Sequence, residues 1–101
     1  MITTAGLNKI TEIFKGLIVS ATCTIGSIAK DIVIDSITQT GNSILVKLYL
    51  DDNISGTITK FQLKATDGTV LIDRPDNIVK PNTKGLYVMF NVNIQEVVIN
   101  G

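Results

Sequence analysis

The stretch KATDGTVLIDRP, residues 64–75, decides how the rest of the chain is read. Asp67-Gly68 is a favoured pair for a two-residue type I′ turn, because both turn positions need positive φ. Such a loop sets Thr66 opposite Thr69, Ala65 opposite Val70 and Leu63 opposite Ile72. Phe61, Leu63 and Ala65 then share a face with Val70 and Ile72, while Lys60, Gln62 and Lys64 point the other way. Turn chemistry and alternation agree on one register, so an antiparallel hairpin is predicted here. Nothing reactive sits on it, and its predicted role is architectural.

Alternation extends on both sides. SILVKLYL, residues 43–50, places Ile44, Val46, Leu48 and Leu50 on one face and Lys47 and Tyr49 on the other. LIVSATCTI, residues 17–25, alternates Val19, Ala21, Cys23 and Ile25 with Ser20, Thr22 and Thr24, which predicts a half-buried strand. GSIAKD at 26–31 is predicted as a turn or loop, IVIDSITQ at 32–39 as a second strand, and TGN at 40–42 as its end. DDNISG at 51–56 is a loop of turn formers. In RPDNIVKPN, residues 74–82, Pro75 and Pro81 forbid a central strand, so an edge or extended crossing is expected. GLYVMFNVNIQEV, residues 85–97, is the longest clean alternation and is predicted to be a central strand.

The N-terminal segment has the helical period instead. Leu7, Ile10 and Phe14, with Ile13 beside them, form one apolar face. Thr3 or Thr4 is expected to cap the start and Gly16 to end it, giving a helix from about residue 4 to 15. The prediction is a mainly β fold: an antiparallel β-sandwich or curled sheet of about six strands with one N-terminal α-helix. It forms a single domain over residues 1–101, strand-rich from 17 to 98.

Composition narrows function by exclusion. Nine basic and nine acidic residues cancel, leaving no basic field for a phosphate backbone, so no nucleic-acid partner is expected. Histidine is absent, which removes the easiest general base near neutral pH and the commonest metal ligand. The lone Cys23 has no internal disulfide partner and reads as a buried apolar residue. Lys9 and Lys15 before GLIVSATC resemble a lipoprotein signal only faintly, because Glu12 and Ser20 interrupt the pattern. No run approaches the roughly 20 apolar residues of a spanning helix, so membrane insertion is not expected.

Candidate sites are few. Asp51, Asp52 and Asn53 carry oxygen ligands but no calcium-loop spacing, and read as a solvated hairpin tip. Asp73 and Asp76 flank Arg74 and Pro75; Arg74 is expected to pair with one of them, and Asp76 to begin a turn. Cys23 lacks a base and is read as a core thiol. No catalytic, cofactor-binding or metal-ligating set is assigned, and the chain is read as a non-enzyme. Tyr49, Tyr87 and Met89 fall on outward parities and are the candidate interface.

The order of these pieces resembles a family of bacteriophage tail and tail-fibre-associated structural proteins. The resemblance rests on residues 3–10 of ITTAGLNKITEIFKG, TITKFQL at 57–63, ATDGTVLIDRP at 65–75, IVKPNT at 78–83 and LYVMFNVNI at 86–94. It departs from the family after the first strand, where TIGSIAKDI replaces a Gly-rich loop and a longer acidic insertion. No fibre shaft or receptor-binding tip follows, which suits a connector, baseplate or adaptor better than a host-binding role. The resemblance implies a tail component in the virion, made in the bacterial host cytoplasm, assembling with other tail proteins as a homo-oligomer. The alternative is a carbohydrate-binding or adhesin-like β module with a sugar ligand, disfavoured by only five aromatic residues and no Trp.

Overall fold

The computed structural model describes residues 1–96. One helix precedes six strands: α1 (Thr4–Leu17), β1 (Ser20–Ile25), β2 (Ile28–Thr40), β3 (Ser43–Leu50), β4 (Gly56–Lys64), β5 (Val70–Lys80) and β6 (Leu86–Asn93). The fold is mainly β, as predicted. The strands form one sheet in the order β5-β4-β1-β2-β3-β6, antiparallel at every pairing. The predicted limit at residue 98 lies outside the described residues.

Connectivity forces this sheet to curl. β5 and β6 stand at opposite ends of the strand order yet are consecutive in the chain, joined by residues 81–85 alone. A flat sheet would hold its end strands about 24 Å apart at the usual strand spacing. The six residue steps from Lys80 to Leu86, fully extended, span no more than about 22 Å. The sheet must therefore curl, and it does so until Arg74 of β5 lies 5.0 Å from the Phe90 ring centre on β6, giving an almost complete barrel. β2 carries much of the bend. Its first part, from Ile28, pairs with β1, its later part, to Thr40, pairs with β3, and the register shifts between Ile34 and Ser36.

The enclosed core follows the parity of the strands. Ile44, Val46, Leu48 and Leu50 of β3 are completely buried and face Ala21, Cys23, Ile58, Phe61 and Leu63 from β1 and β4. Full burial of each such aliphatic side chain stabilises by about 2 kcal/mol before entropy is counted.

Several local expectations are corrected. The hairpin loop is Thr66-Asp67-Gly68, not the pair Asp67-Gly68. Ala65 N donates to Thr69 O, and only Gly68 has positive φ, at 87°. Asp67 stays in the ordinary φ range, so the type I′ turn does not form. A bulge then opposes Lys64 to Val70 and restores Leu63 opposite Ile72. Val70 is thereby exposed rather than on the core face.

The helix runs two residues further than expected. Gly16 lies inside it, and Ile18 is the C-cap, its N–H donating to Lys15 O. Thr3 caps the start as predicted, its hydroxyl accepting from Gly6 N. The face that packs is Leu7, Thr11, Phe14 and Ile18, with Ile10 and Ile13 left exposed. α1 lies against β2 and β3, where Gln39 Nε2 donates to Asn8 O. Packing on the curved β2–β3 ribbon selects one side of a wide apolar arc that the period alone does not divide.

Two strand assignments also change. The turn after β1 is only Gly26-Ser27, with Gly26 at φ 63°, so Ile28, Ala29, Lys30 and Asp31 belong to β2. β6 is an edge strand paired only with β3, not a central one. β5 carries Pro75 within it on the opposite edge, and Asp76 lies in the strand rather than at a turn.

Candidate functional site

The outward faces of β2, β3 and β6 bring the three interface candidates together. Cross-strand register aligns Val33, Tyr49 and Tyr87 in one row, Ser36, Lys47 and Met89 in the next, and Thr38, Leu45 and Asn91 in a third. Val33 is 59% exposed, Tyr87 53% and Met89 58%. Leu45, also exposed, joins this surface to a shallow depression of about 330 Å³ lined by Thr38, Thr40, Ser43 and Asn91. The result is a strip of surface in which Val33, the two tyrosines, Met89 and Leu45 lie around Lys47 and Ser36 within a polar border, the mixed composition of a contact surface.

Its centre is built to stay in place. The Tyr49 and Tyr87 rings sit 4.9 Å apart at a 48° tilt, an edge-inclined arrangement their quadrupoles favour. Lys47 Nζ lies 4.5 Å from the Tyr87 ring centre and 3.8 Å from Asp35 Oδ2. The one cation on the strip is thus held by an aromatic face and a carboxylate. Behind Tyr49 stands Gly85 of the β5–β6 loop, where a Cβ would come within 2.9 Å of Tyr49 Cε1 and Cζ. Glycine is required there for close approach, not for its φ.

The structure sets Tyr49, Tyr87 and Met89 on the outward face that their parity predicted, together with Val33 and Leu45, which the sequence reading did not name. Leu45 was readable, since it shares parity with Lys47 and Tyr49. Val33 was not, because IVI at 32–34 is apolar on both parities and the neighbouring bulge resets the register.

The other candidates are dispersed. Asp51 Oδ1 accepts from Asn53 N at 2.9 Å, an Asx turn at the loop tip. Arg74 makes no ion pair with Asp73 or Asp76, correcting that expectation. Its guanidinium instead lies over the Phe90 ring at 5.0 Å. Asp73 accepts from Gln62 Nε2 at 3.4 Å and Asp76 from Asn77 N at 2.8 Å, so the two carboxylates serve separate local contacts. Cys23 is buried, and desolvation pushes its thiol pKa up, with Lys30 opposing weakly. Among the described residues no three His, Cys, Asp or Glu side chains converge as a metal site would need.

Comparison with known proteins returns no match: no family model, no curated protein and no solved structure. The viral, bacteriophage, tail, baseplate and virion-assembly terms brought by the sequence resemblance are therefore corrected, since nothing matched carries them. The surface itself remains the functional feature to interpret.

Proposed function

We propose that this protein is a structural module that acts by protein–protein assembly, with a second copy of the chain as its partner. The strip on β2, β3 and β6 is the contact surface. The observation that carries this reading is the row Val33, Tyr49 and Tyr87 beside Met89, apolar, contiguous and open to solvent.

A second copy suits the charge pattern. A two-fold contact sets a surface against itself, so any unpaired charge on it repels its own image. Here Lys47 is already matched by Asp35, and the chain as a whole carries zero formal charge. Apolar burial then supplies the affinity without like-charge repulsion across the two-fold axis. Sugar recognition draws no support from this surface. A stacking platform needs a free ring face, and Tyr87 carries Lys47 over its ring and Tyr49 beside it.

Light scattering across a concentration series tests the proposal. A discrete oligomer is expected, which Met89→Glu and Val33→Glu convert to monomer while circular dichroism stays unchanged. A monomer at every concentration, or an oligomer indifferent to both substitutions, would overturn it.

A further inference from the structure

Lys80, the last residue of β5, is only 2% exposed and is the single buried charged side chain among the described residues. Its ammonium donates to Pro81 O at 3.0 Å and to Lys84 O at 2.8 Å. An ammonium carries three donors, so one N–H has no acceptor among the described residues. No carboxylate of the described residues lies within ion-pair distance of it. A buried cation held by carbonyl dipoles alone is an expensive arrangement unless a further partner completes it.

The space for that partner is present. A cavity of about 160 Å³ opens beside Lys80 where the edges of β5 and β6 come together. Its walls are Ile78, Val79, Pro81 and Leu86, and its charged members are Lys80 and Lys84 with no acidic residue. We propose that this cavity binds a small monocarboxylate with a short aliphatic body. The carboxylate takes the third Lys80 hydrogen, and the hydrocarbon lies against Ile78 and Leu86.

Size and polarity select this class. At about 30 Å³ per water, the cavity holds roughly five water-sized groups. That matches an acid of about four carbons. Phosphate or sulfate would leave the aliphatic walls of Ile78, Val79 and Leu86 uncovered, whereas a monocarboxylate with a hydrocarbon body meets both the ammonium and those walls. The cavity adjoins the β2–β3–β6 strip at Gly85, which lines it and stands behind Tyr49, but Lys80, Ile78 and Leu86, which would hold the ligand, are not residues of the strip, so the proposal does not rest on self-association.

The test is amide NMR of the full chain titrated with sodium butyrate at constant ionic strength, with n-butanol as the uncharged probe of the same tail. Butyrate is expected to give saturable shifts concentrated at residues 78–86, with a Kd on the order of 1 mM for so few atoms. Butanol is expected to bind at least about tenfold more weakly, and Lys80→Met is expected to abolish the butyrate response. Equal responses to butyrate and butanol, non-saturating shifts spread over exposed lysines, or retention of binding in Lys80→Met would overturn the proposal. If Lys80→Met does not fold, the two wild-type titrations decide the matter alone.

Discussion

The Arg74 guanidinium on β5 lies 5.0 Å from the centre of the Phe90 ring on β6, across a seam that no backbone ladder closes. Phe90 points into the core and is 4% exposed. An exposed Arg side chain thus spans this seam, with its guanidinium over the ring face. Arg74→Ala is expected to lower stability by about 1 kcal/mol, and Arg74→Lys by less, in urea unfolding. No loss on truncation to Ala would show that the seam is closed by other contacts.

Gly85 and Tyr49 are expected to be coupled. Gly85→Ala sets a Cβ within 2.9 Å of the Tyr49 ring and is expected to cost about 1–3 kcal/mol. Tyr49→Ala removes the obstacle, so the double variant is expected to lose less than the sum of the singles. Additive losses in a double-mutant cycle would contradict the contact.

Two buried threonines are expected to behave differently. Thr22 Oγ1 is enclosed without a hydrogen-bond partner among the described residues, whereas Thr11 Oγ1 donates to Leu7 O at 2.8 Å. Thr22→Val removes an unsatisfied hydroxyl at constant shape and is expected to stabilise by about 1 kcal/mol. Thr11→Val removes a satisfied one and is expected to be neutral or slightly destabilising. Thermal melts of the two variants give the comparison, and a destabilised Thr22→Val would show a partner for that hydroxyl.

Asp67 gives the hairpin an acid dependence. Hydrogen bonds from the Thr69 side chain and backbone hold its carboxyl pKa below the ordinary value. Its contribution is therefore present above the unfolded pKa of about 4 and lost as pH falls through the lower folded value. Asp67→Ala is expected to be less stable than wild type at neutral pH, with the gap narrowing below about pH 4. A gap independent of pH would remove the charge from the explanation.

Cys23 acts at the alkaline end. Burial raises its pKa, so the unfolded thiol, at about 8.5, ionises first as pH rises. The contribution is complete below that value and is lost above it, towards the folded pKa. Iodoacetamide labelling at pH 8 is expected to follow global unfolding, accelerating in step with urea. Rapid labelling of the native protein would place the thiol outside the core.

Several features were legible before any coordinates. The inward parity of β3, the Thr3 cap and the antiparallel β4–β5 hairpin follow from rules that act within a few residues. Other features were not. Ile10 looked as apolar as Leu7, and only the position of β2 and β3 decided which one was covered. The alternation of β6 read as a central strand because period two reports sidedness, not the number of neighbours. Lys80 carries no local sign of burial, and its enclosure depends on residues 81–85 bringing the two ends of the sheet together.

The sequence by itself determined the fold class, the sidedness of most strands and the parity of Tyr49, Tyr87 and Met89, because steric alternation and turn preference are local. Only the tertiary structure decided the barrel-like closure, the joining of Val33 and Leu45 to that surface, and the buried ammonium beside its cavity. Each of those depends on strands far apart in the chain meeting at a particular register, and the free energy that selects the register comes from packing among all of them at once.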